Sequence, residues 1–288
     1  MYPAKFDYYR AGSVQEAIGL LQQHEDAKLL AGGHSLLPAM KLRLAQPAVL
    51  IDIGRIAELK AISEGAGTVK IGALCTHAGL AASDLLKGQC GVLAEAAAEV
   101  GDQQVRNKGT VGGNLAHADP ASDLPAAVLA LGGSINVSGP GGERQVALAD
   151  FFVDLLTTNL GEDEILTSVE VNALGANSGS AYKKFEHPAS GFAICGAAAV
   201  VTLNDDGSCA GASLCYNGVT AIPLNAEAVA AALVGSDLSD AAIDEAVNSN
   251  LSVEDPMSDI HASGEYRTEL AKVFGRRALK AARDRAKG

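Results

Sequence analysis

Apolar residues near the start of the chain recur with the period of a helix. A capping box formed by Ser13 and Glu16 marks where this pattern begins. The apolar positions fall at i, i+3, i+4 and i+7, namely at Val14, Ala17, Ile18 and Leu21. Because side chains at this spacing share one face of a helix, the pattern predicts an amphipathic helix over 14–24.

Shorter apolar runs on either side of Gly32 and Gly33 predict a βαβ-like unit. Residues 28–31 favour a short strand and 48–53 a buried strand, while 35–44 favour a helix that starts just after the glycines. With the first helix, these elements occupy roughly the first 55 residues. The pattern therefore predicts a small first subdomain.

From about residue 67, apolar positions alternate with polar positions or glycine in several segments, which is typical of half-buried strands. The predicted strands are 69–73, 134–138, 144–148 and 165–171, with a hairpin turn at 139–142. The predicted helices are 76–86, 92–100 and a segment from Ser122 or Asp123 to Gly132.

The stretch 173–179 is rich in Gly, Ser, Asn and Ala and is the best candidate for a domain boundary. Beyond it, the sequence predicts strands over 193–203 and 208–219, followed by helices over about 224–233, 238–248 and 264–285. We therefore predict two domains. They are 1–176, with subdomains of about 1–55 and 56–176, and 177–288.

Composition excludes several classes of protein. Of the 288 residues, 48% are hydrophobic and 19% are charged, which indicates a globular chain. A net charge of −12 argues against a nucleic-acid partner or an anionic membrane surface. No apolar run reaches the roughly 18 residues of a membrane span, and the first residues lack the apolar segment of a signal peptide. We therefore expect a soluble, cytoplasmic protein.

The five cysteines form no metal or iron–sulfur pattern. No two have C-x₂-C spacing, and none is spaced from a histidine as zinc ligands are, among Cys75, Cys90, Cys195, Cys209 and Cys215. A scattered odd set predicts buried thiols in a reducing compartment. The sequence also offers no general base, nucleophile or metal cluster, so we expect no catalytic residue and no metal site.

Two glycine pairs give the strongest chemical signal. One is Ala31-Gly32-Gly33-His34-Ser35, and the other is Thr110-Val111-Gly112-Gly113-Asn114. Glycine allows main-chain N–H groups to come close to a ligand, and flanking hydroxyl and amide side chains add hydrogen bonds. Taken alone, either pair is more often a simple structural turn. Together they predict two loops that close on one large anion, such as a dinucleotide pyrophosphate.

The residues around these loops resemble the FAD-binding subunit of the xanthine oxidase family of molybdenum hydroxylases. The matching motifs span nearly the whole chain: Gly-Gly-His-Ser at 32–35, Gln-Val-Arg-Asn-Lys-Gly at 104–109, Pro-Ala-Ser-Asp at 120–123, Ala-Tyr-Lys at 181–183 and Glu-Tyr-Arg at 265–267. Their order and the chain length are similar to those of separate medium subunits in bacterial enzymes of the aerobic carbon monoxide dehydrogenase type.

The resemblance implies an α+β fold. Its first part is an FAD-binding fold of the vanillyl-alcohol oxidase type, with two α+β subdomains and noncovalently bound FAD between them. Its second part is a C-terminal flavoprotein domain with a small antiparallel sheet and a helical bundle. The resemblance also implies a small partner subunit with two [2Fe–2S] clusters, a large partner subunit with the molybdenum cofactor, and a heterohexamer built as a dimer of heterotrimers.

The resemblance further implies roles for individual residues. The backbones of 31–35 and 110–114 are expected to hold the FAD pyrophosphate. Side-chain hydrogen bonds to phosphate or ribityl oxygens are expected from Ser35, Thr110 and Asn114. Asp123 is expected to bind sugar hydroxyls of the cofactor, and the alternative is that it caps the next helix.

Lys183 and Phe192 are expected near the flavin ring. A cation at Lys183 would stabilise the anionic reduced flavin, and the alternative is a solvated lysine. Phe192 falls where related subunits carry a tyrosine over the isoalloxazine, and the alternative is core packing in a strand. Histidines also flank the two loops: His34 is expected to form a hydrogen bond within its loop, and His117 to be structural.

The sequence thus predicts an electron-transferring flavoprotein subunit of an oxidoreductase, in which electrons pass from [2Fe–2S] clusters of a partner through FAD to an external acceptor. The alternative is a self-contained flavin oxidase or dehydrogenase with its own organic substrate. That enzyme would need an acid–base pair over the flavin, for which the sequence offers no candidate.

Overall fold

A computed structural model describes residues 1–288. The α-helices are α1 (Val14–Gln23), α2 (Leu36–Lys41), α3 (His77–Ala82), α4 (Asp84–Gln89), α5 (Gly91–Glu99), α6 (Gln103–Arg106), α7 (Val111–His117), α8 (Leu124–Leu131), α9 (Leu148–Phe151), α10 (Glu227–Leu233), α11 (Asp240–Asn250) and α12 (Gly264–Ala286). None of these helices is both long enough and apolar enough to cross a membrane.

Fourteen strands accompany the helices. They are β1 (Asp7–Arg10), β2 (Ala27–Leu30), β3 (Val49–Asp52), β4 (Ile62–Glu64), β5 (Thr68–Gly72), β6 (Gly133–Gly139), β7 (Gly142–Ala147), β8 (Phe152–Asp154), β9 (Thr157–Thr158), β10 (Ile165–Asn172), β11 (Ser178–Glu186), β12 (Ala193–Leu203), β13 (Cys209–Asn217) and β14 (Leu224–Asn225).

The first sheet is parallel and small, with the strand order β1-β3-β2. Helix α1 packs on it through the four apolar residues that the sequence pattern identified, all of which are buried. Ser13 caps this helix by accepting a hydrogen bond from the Glu16 amide, and Glu16 accepts one from the Gly12 amide at 2.8 Å. The first glycine loop lies between β2 and α2.

The second sheet is antiparallel, with the order β4-β5-β10-β6-β7. Its alternating apolar residues form the largest buried cluster together with α5 and α8. The second glycine pair lies in the first turn of α7, which follows the short helix α6. Each of these two sheets is therefore accompanied by one glycine loop.

The C-terminal part contains a third sheet, antiparallel, in the order β11-β12-β13-β14. The long helix α12 packs across β11 and β12, and with α10 and α11 it buries a separate apolar core. These observations confirm the predicted α+β fold and the small antiparallel sheet with helices.

Several predictions of individual elements need correction. The continuous helix predicted over 76–86 is wrong, because Ser83 has an extended backbone and caps α4 by accepting from the Leu86 amide. Six strands were not predicted, namely β1, β4, β8, β9, β11 and β14. Two of these show why. All four residues of β1 are exposed, so it lacks an apolar alternation, and β11 carries Tyr182 and two lysines in place of a regular pattern.

Candidate functional site

The two glycine loops lie in direct contact. A Cβ built at Gly32 would overlap the carbonyl oxygen of Lys108 and lie 2.9 Å from the Cα of Gly109. A Cβ built at Gly113 would lie 3.8 Å from the Cβ of Ala31. The structure thus brings together the two segments that the sequence predicted to close on one ligand.

The first loop presents free hydrogen-bond donors. The main-chain N–H groups of residues 32–35 donate to no acceptor in the protein. Gly33 has a φ of +74°, a conformation that favours glycine, and Ser35 occupies the N-cap position of α2 without using its hydroxyl as a cap. His34 bonds within the loop, with its Nδ1 3.0 Å from the Gly32 carbonyl oxygen. A run of free amides of this kind suits an anion.

The second loop, in contrast, uses its amides within the protein. The Val111 and Gly112 amides donate to the carbonyl oxygens of Cys75 and Ala73, both at 2.9 Å. The Gly113 amide donates to Thr110 Oγ1 at 3.2 Å. This loop therefore offers a ligand its side chains more than its backbone.

Asn114 is the side chain of the second loop that most clearly lacks a partner. Its Oδ1 is buried without a hydrogen bond, which is costly unless a ligand supplies a donor. A sugar hydroxyl is such a donor. The free amides of one loop and the unpaired amide side chain of the other fit the diphosphate and hydroxyl groups of a dinucleotide.

Asp123 lies in a buried polar cluster between the two parts of the chain. Its Oδ1 accepts a hydrogen bond from the Tyr182 hydroxyl at 2.7 Å and lies 3.2 Å from Lys184 Nζ. Burial raises the pKa of Asp123 to about 6, against the opposing effects of the Lys184 ammonium and the Tyr182 hydroxyl. The side-chain amide of Asn217 lies beside the same hydroxyl, with its Oδ1 at 3.2 Å.

This cluster changes the interpretation of two predicted residues. Asp123 stands at the N-cap position of α8, where the capping alternative placed it, but its side chain makes no cap bond. Lys183 is adjacent in β11 to Lys184, and successive side chains of a strand point to opposite faces. The lysine that joins Asp123 is therefore Lys184, which sequence analysis did not single out. The flavin role of Lys183 stays a prediction.

Phe192 lies outside the core. It directly precedes β12 and is 53% exposed, so the alternative of core packing in a strand is wrong. Its chain neighbours are fixed, because the Ala193 amide donates to the Ala121 carbonyl oxygen at 3.2 Å. An exposed aromatic ring held this way remains available for a ligand.

His77 is a buried residue beside the second loop that sequence analysis missed. It is 3% exposed and its Nδ1 has no hydrogen-bond partner, while a Cβ at Gly109 would lie 2.7 Å from its ring. Burial lowers the pKa of His77 to about 4, and the charges of Arg106 and His34 add to this effect. Its position after the capping Thr76 gave no signal of burial. His117, at the end of α7, is exposed.

Family models match almost the whole chain. Residues 4–173 match the FAD binding domain in molybdopterin dehydrogenase, and residues 180–282 match the CO dehydrogenase flavoprotein C-terminal domain.

Curated relatives and solved structures match over full length. The carbon monoxide dehydrogenase medium chain of Afipia carboxidovorans is 39% identical over 288 residues, covering 100% of both chains. Subunit alpha of the 6-hydroxypseudooxynicotine dehydrogenase complex of Paenarthrobacter nicotinovorans is 35% identical, covering 100% of this chain and 97% of that one. A chain in a crystal structure of the Cu,Mo-CO dehydrogenase is 38% identical with a TM-score of 0.95, covering 99% of this chain and 100% of that chain.

Proposed function

Since the chain belongs to the FAD-binding medium subunits of the carbon monoxide dehydrogenase and xanthine oxidase family, we propose that it conducts electrons from iron–sulfur clusters of a partner subunit to an external acceptor. Membership makes it a flavoprotein subunit of a multi-subunit oxidoreductase, and its cofactor is FAD. FAD, when bound, supplies the one- and two-electron redox chemistry that this transfer needs.

The contact between the two glycine loops carries the proposal. The four free amides of residues 32–35 would bind the pyrophosphate, where they offset its charge without a lysine. The side chains of Thr110 and Asn114 would bind hydroxyl or phosphate oxygens from the other side. Gly112 serves packing, because a Cβ there would lie 2.5 Å from the Cβ of Ala73.

Residues beyond the loops would complete the cofactor site. Asp123 is proposed to bind sugar hydroxyls through a carboxylate that Tyr182 and Lys184 hold in place. Phe192 is proposed to lie against the flavin ring, which its exposure allows. Lys183 is proposed near the same ring.

The partners follow from the family rather than from residues of this chain. We propose a small subunit with two [2Fe–2S] clusters and a large subunit with the molybdenum cofactor, assembled as a dimer of heterotrimers. Carbon monoxide is the proposed substrate of the complex, on the basis of the 39% identity to a carbon monoxide dehydrogenase medium chain. Relatives nearly as similar are named for other substrates, which makes the substrate a separate question from the cofactor.

The five cysteines are buried and unpaired, as suits the reducing cytoplasm.

The purified chain tests the proposal. We expect one FAD per chain, no iron or molybdenum, and no oxidation of carbon monoxide, aldehydes or N-heterocycles by the chain alone. Added to its partner subunits, the chain should raise turnover with a terminal acceptor and leave reduction of the molybdenum centre unchanged. Stoichiometric iron in the chain, or bleaching of its flavin by a small substrate without partners, would favour a self-contained flavin enzyme instead.

A further inference from the structure

The Lys184 ammonium joins three separate segments of the chain. It donates to the carbonyl oxygen of Glu99 at 2.6 Å and to that of Gly191 at 2.8 Å, and it lies 3.2 Å from Asp123 Oδ1. An ammonium has three hydrogens, so each has an acceptor. The Lys184 side chain is only 2% exposed, and a buried cation is tolerated when it is paired and fully hydrogen-bonded.

Two of these three segments flank the second glycine loop along the chain. Glu99 ends α5, which comes before that loop, and Asp123 follows it just before α8. Gly191 belongs to the connection between β11 and β12, and a Cβ there would lie 3.6 Å from the Cα of Gly101. Lys184 therefore ties β11 to the chain segments before and after the second glycine loop.

The backbone on both sides of Phe192 is hydrogen-bonded to a buried cation. Lys184 binds the carbonyl oxygen of the preceding residue, Gly191. The buried guanidinium of Arg267 binds the carbonyl oxygen of Ile194 at 2.7 Å, two residues after Phe192. The exposed aromatic ring thus projects from a backbone that two buried cations anchor.

We infer that Lys184 is a positioning residue for the flavin end of the FAD site, acting through Gly191 on Phe192 and through its ion pair on Asp123. This inference rests on the proposed function. Lys184 does not touch the cofactor in this scheme. It holds the loop 187–192 and the Asp123 carboxylate in the places from which they bind.

The full chain, stripped of cofactor and reconstituted with FAD, provides the test. Lys184→Met removes the ammonium and keeps most of the side-chain volume. We expect the dissociation constant for FAD to rise on the order of tenfold, as for the loss of about one charge-assisted hydrogen bond. At saturating FAD, the visible absorption spectrum of the bound flavin should shift toward that of Phe192→Ala.

A matched control and a mutant cycle isolate the effect. Lys280→Met also removes an ammonium paired with two aspartates, but on the surface of α12, so FAD binding and spectrum should stay as in the wild type. If Lys184 acts through Phe192 and Asp123, Lys184→Met should change affinity less than threefold in a background that carries both Phe192→Ala and Asp123→Asn. A full tenfold loss there, or a wild-type spectrum of FAD bound to Lys184→Met, would overturn the inference.

Unpaired charge is a foreseeable cause of misfolding in Lys184→Met. If that variant does not fold, the double variant Asp123→Asn with Lys184→Met replaces it, because it leaves no charge unpaired. Its dissociation constant for FAD and its flavin spectrum are then compared with those of Asp123→Asn alone. Absence of FAD from the wild-type chain would defeat the proposed function. If the wild-type chain binds FAD and Lys184→Met binds it with the same affinity and the same spectrum, only the positioning role is defeated.

Discussion

Gly32 lies so close to the carbonyl oxygen of Lys108 that any side chain at position 32 would overlap it. This contact joins the two glycine loops through protein atoms alone. Gly113 differs, because it is exposed and a Cβ there would meet only Thr110 Oγ1, at 2.9 Å, and Ala31. Glycines that look equivalent in the sequence thus differ in the structure: contact between the loops requires glycine at position 32, whereas position 113 is open, as our proposed ligand would need.

Substitutions at these two glycines should have different effects. Gly32→Ala should lower the free energy of unfolding of the cofactor-free chain by about 1–3 kcal/mol, because backbone must move to admit the methyl group. Gly113→Val should keep that stability within about 1 kcal/mol and lose FAD, since its side chain would occupy the space of the approaching ligand. Urea unfolding and the flavin content of the purified variants measure both effects. Stoichiometric FAD in folded Gly113→Val would refute the assignment of this loop.

Asp123 should prove essential for stability because of its partner. Asp123→Ala leaves the buried Lys184 ammonium without a counterion, and we expect a loss of about 3–5 kcal/mol in the free energy of unfolding of the cofactor-free chain. Asp123→Ala with Lys184→Met should be more stable than Asp123→Ala alone, since no charge is then left unpaired. Denaturant unfolding of the four proteins of this cycle checks the prediction. A double variant less stable than either single variant would contradict it.

Much of the fold could be predicted from the sequence, because apolar periodicity is a local property. The alternation at Val69 and Ile71 predicted β5, and Gly132 correctly marked the end of α8. Strand β1 escaped prediction since it pairs with β3 through its backbone and exposes every side chain. Helix α7 also escaped, because a glycine pair in its first turn has the sequence signature of a loop.

The candidate site was less accessible to sequence reasoning. Glycine motifs identified both loops, but the hydrogen bonds of the folded chain decide that the amides of one loop are free while those of the other are used within the protein. Lys183 and Lys184 are adjacent residues of the same type, and the register of β11 decides which of the two contacts Asp123. Such distinctions depend on contacts between residues about 60 positions apart, which periodicity does not encode.

His77 should make stability depend on pH. Its pKa is lowered from 6.5 to about 4 in the folded chain, so below pH 6.5 the unfolded chain binds a proton that the folded chain does not. Its contribution to stability is therefore complete above pH 6.5 and is lost as the pH falls toward 4, by about 3 kcal/mol.

Comparison with His77→Leu isolates this contribution. The difference in free energy of unfolding between wild type and variant should be constant above pH 7 and shift by about 3 kcal/mol against the wild type by pH 4. Asp123, whose folded-state pKa is raised to about 6, acts in the opposite direction but is present in both proteins and cancels. Urea unfolding across this pH range measures the difference, and parallel curves would show that His77 is not a buried neutral base.

Gly275 and Gly19 both lie within helices, but alanine should have opposite effects at the two positions. Alanine in place of glycine within a helix usually stabilises by about 1 kcal/mol, and Gly19→Ala in α1, where a Cβ meets nothing within 4 Å, should do so. A Cβ at Gly275 in α12 would instead overlap the hydroxyl of Tyr216, which is buried without a hydrogen-bond partner. We expect Gly275→Ala to cost about 1–3 kcal/mol, because a packed core resists added volume. Tyr216→Phe removes that hydroxyl, so Gly275→Ala should cost less in its background than in the wild type. Thermal and urea unfolding of these variants measure the loss of stability. An equal loss from Gly275→Ala in both backgrounds would show that the Tyr216 hydroxyl is not the reason why position 275 needs glycine.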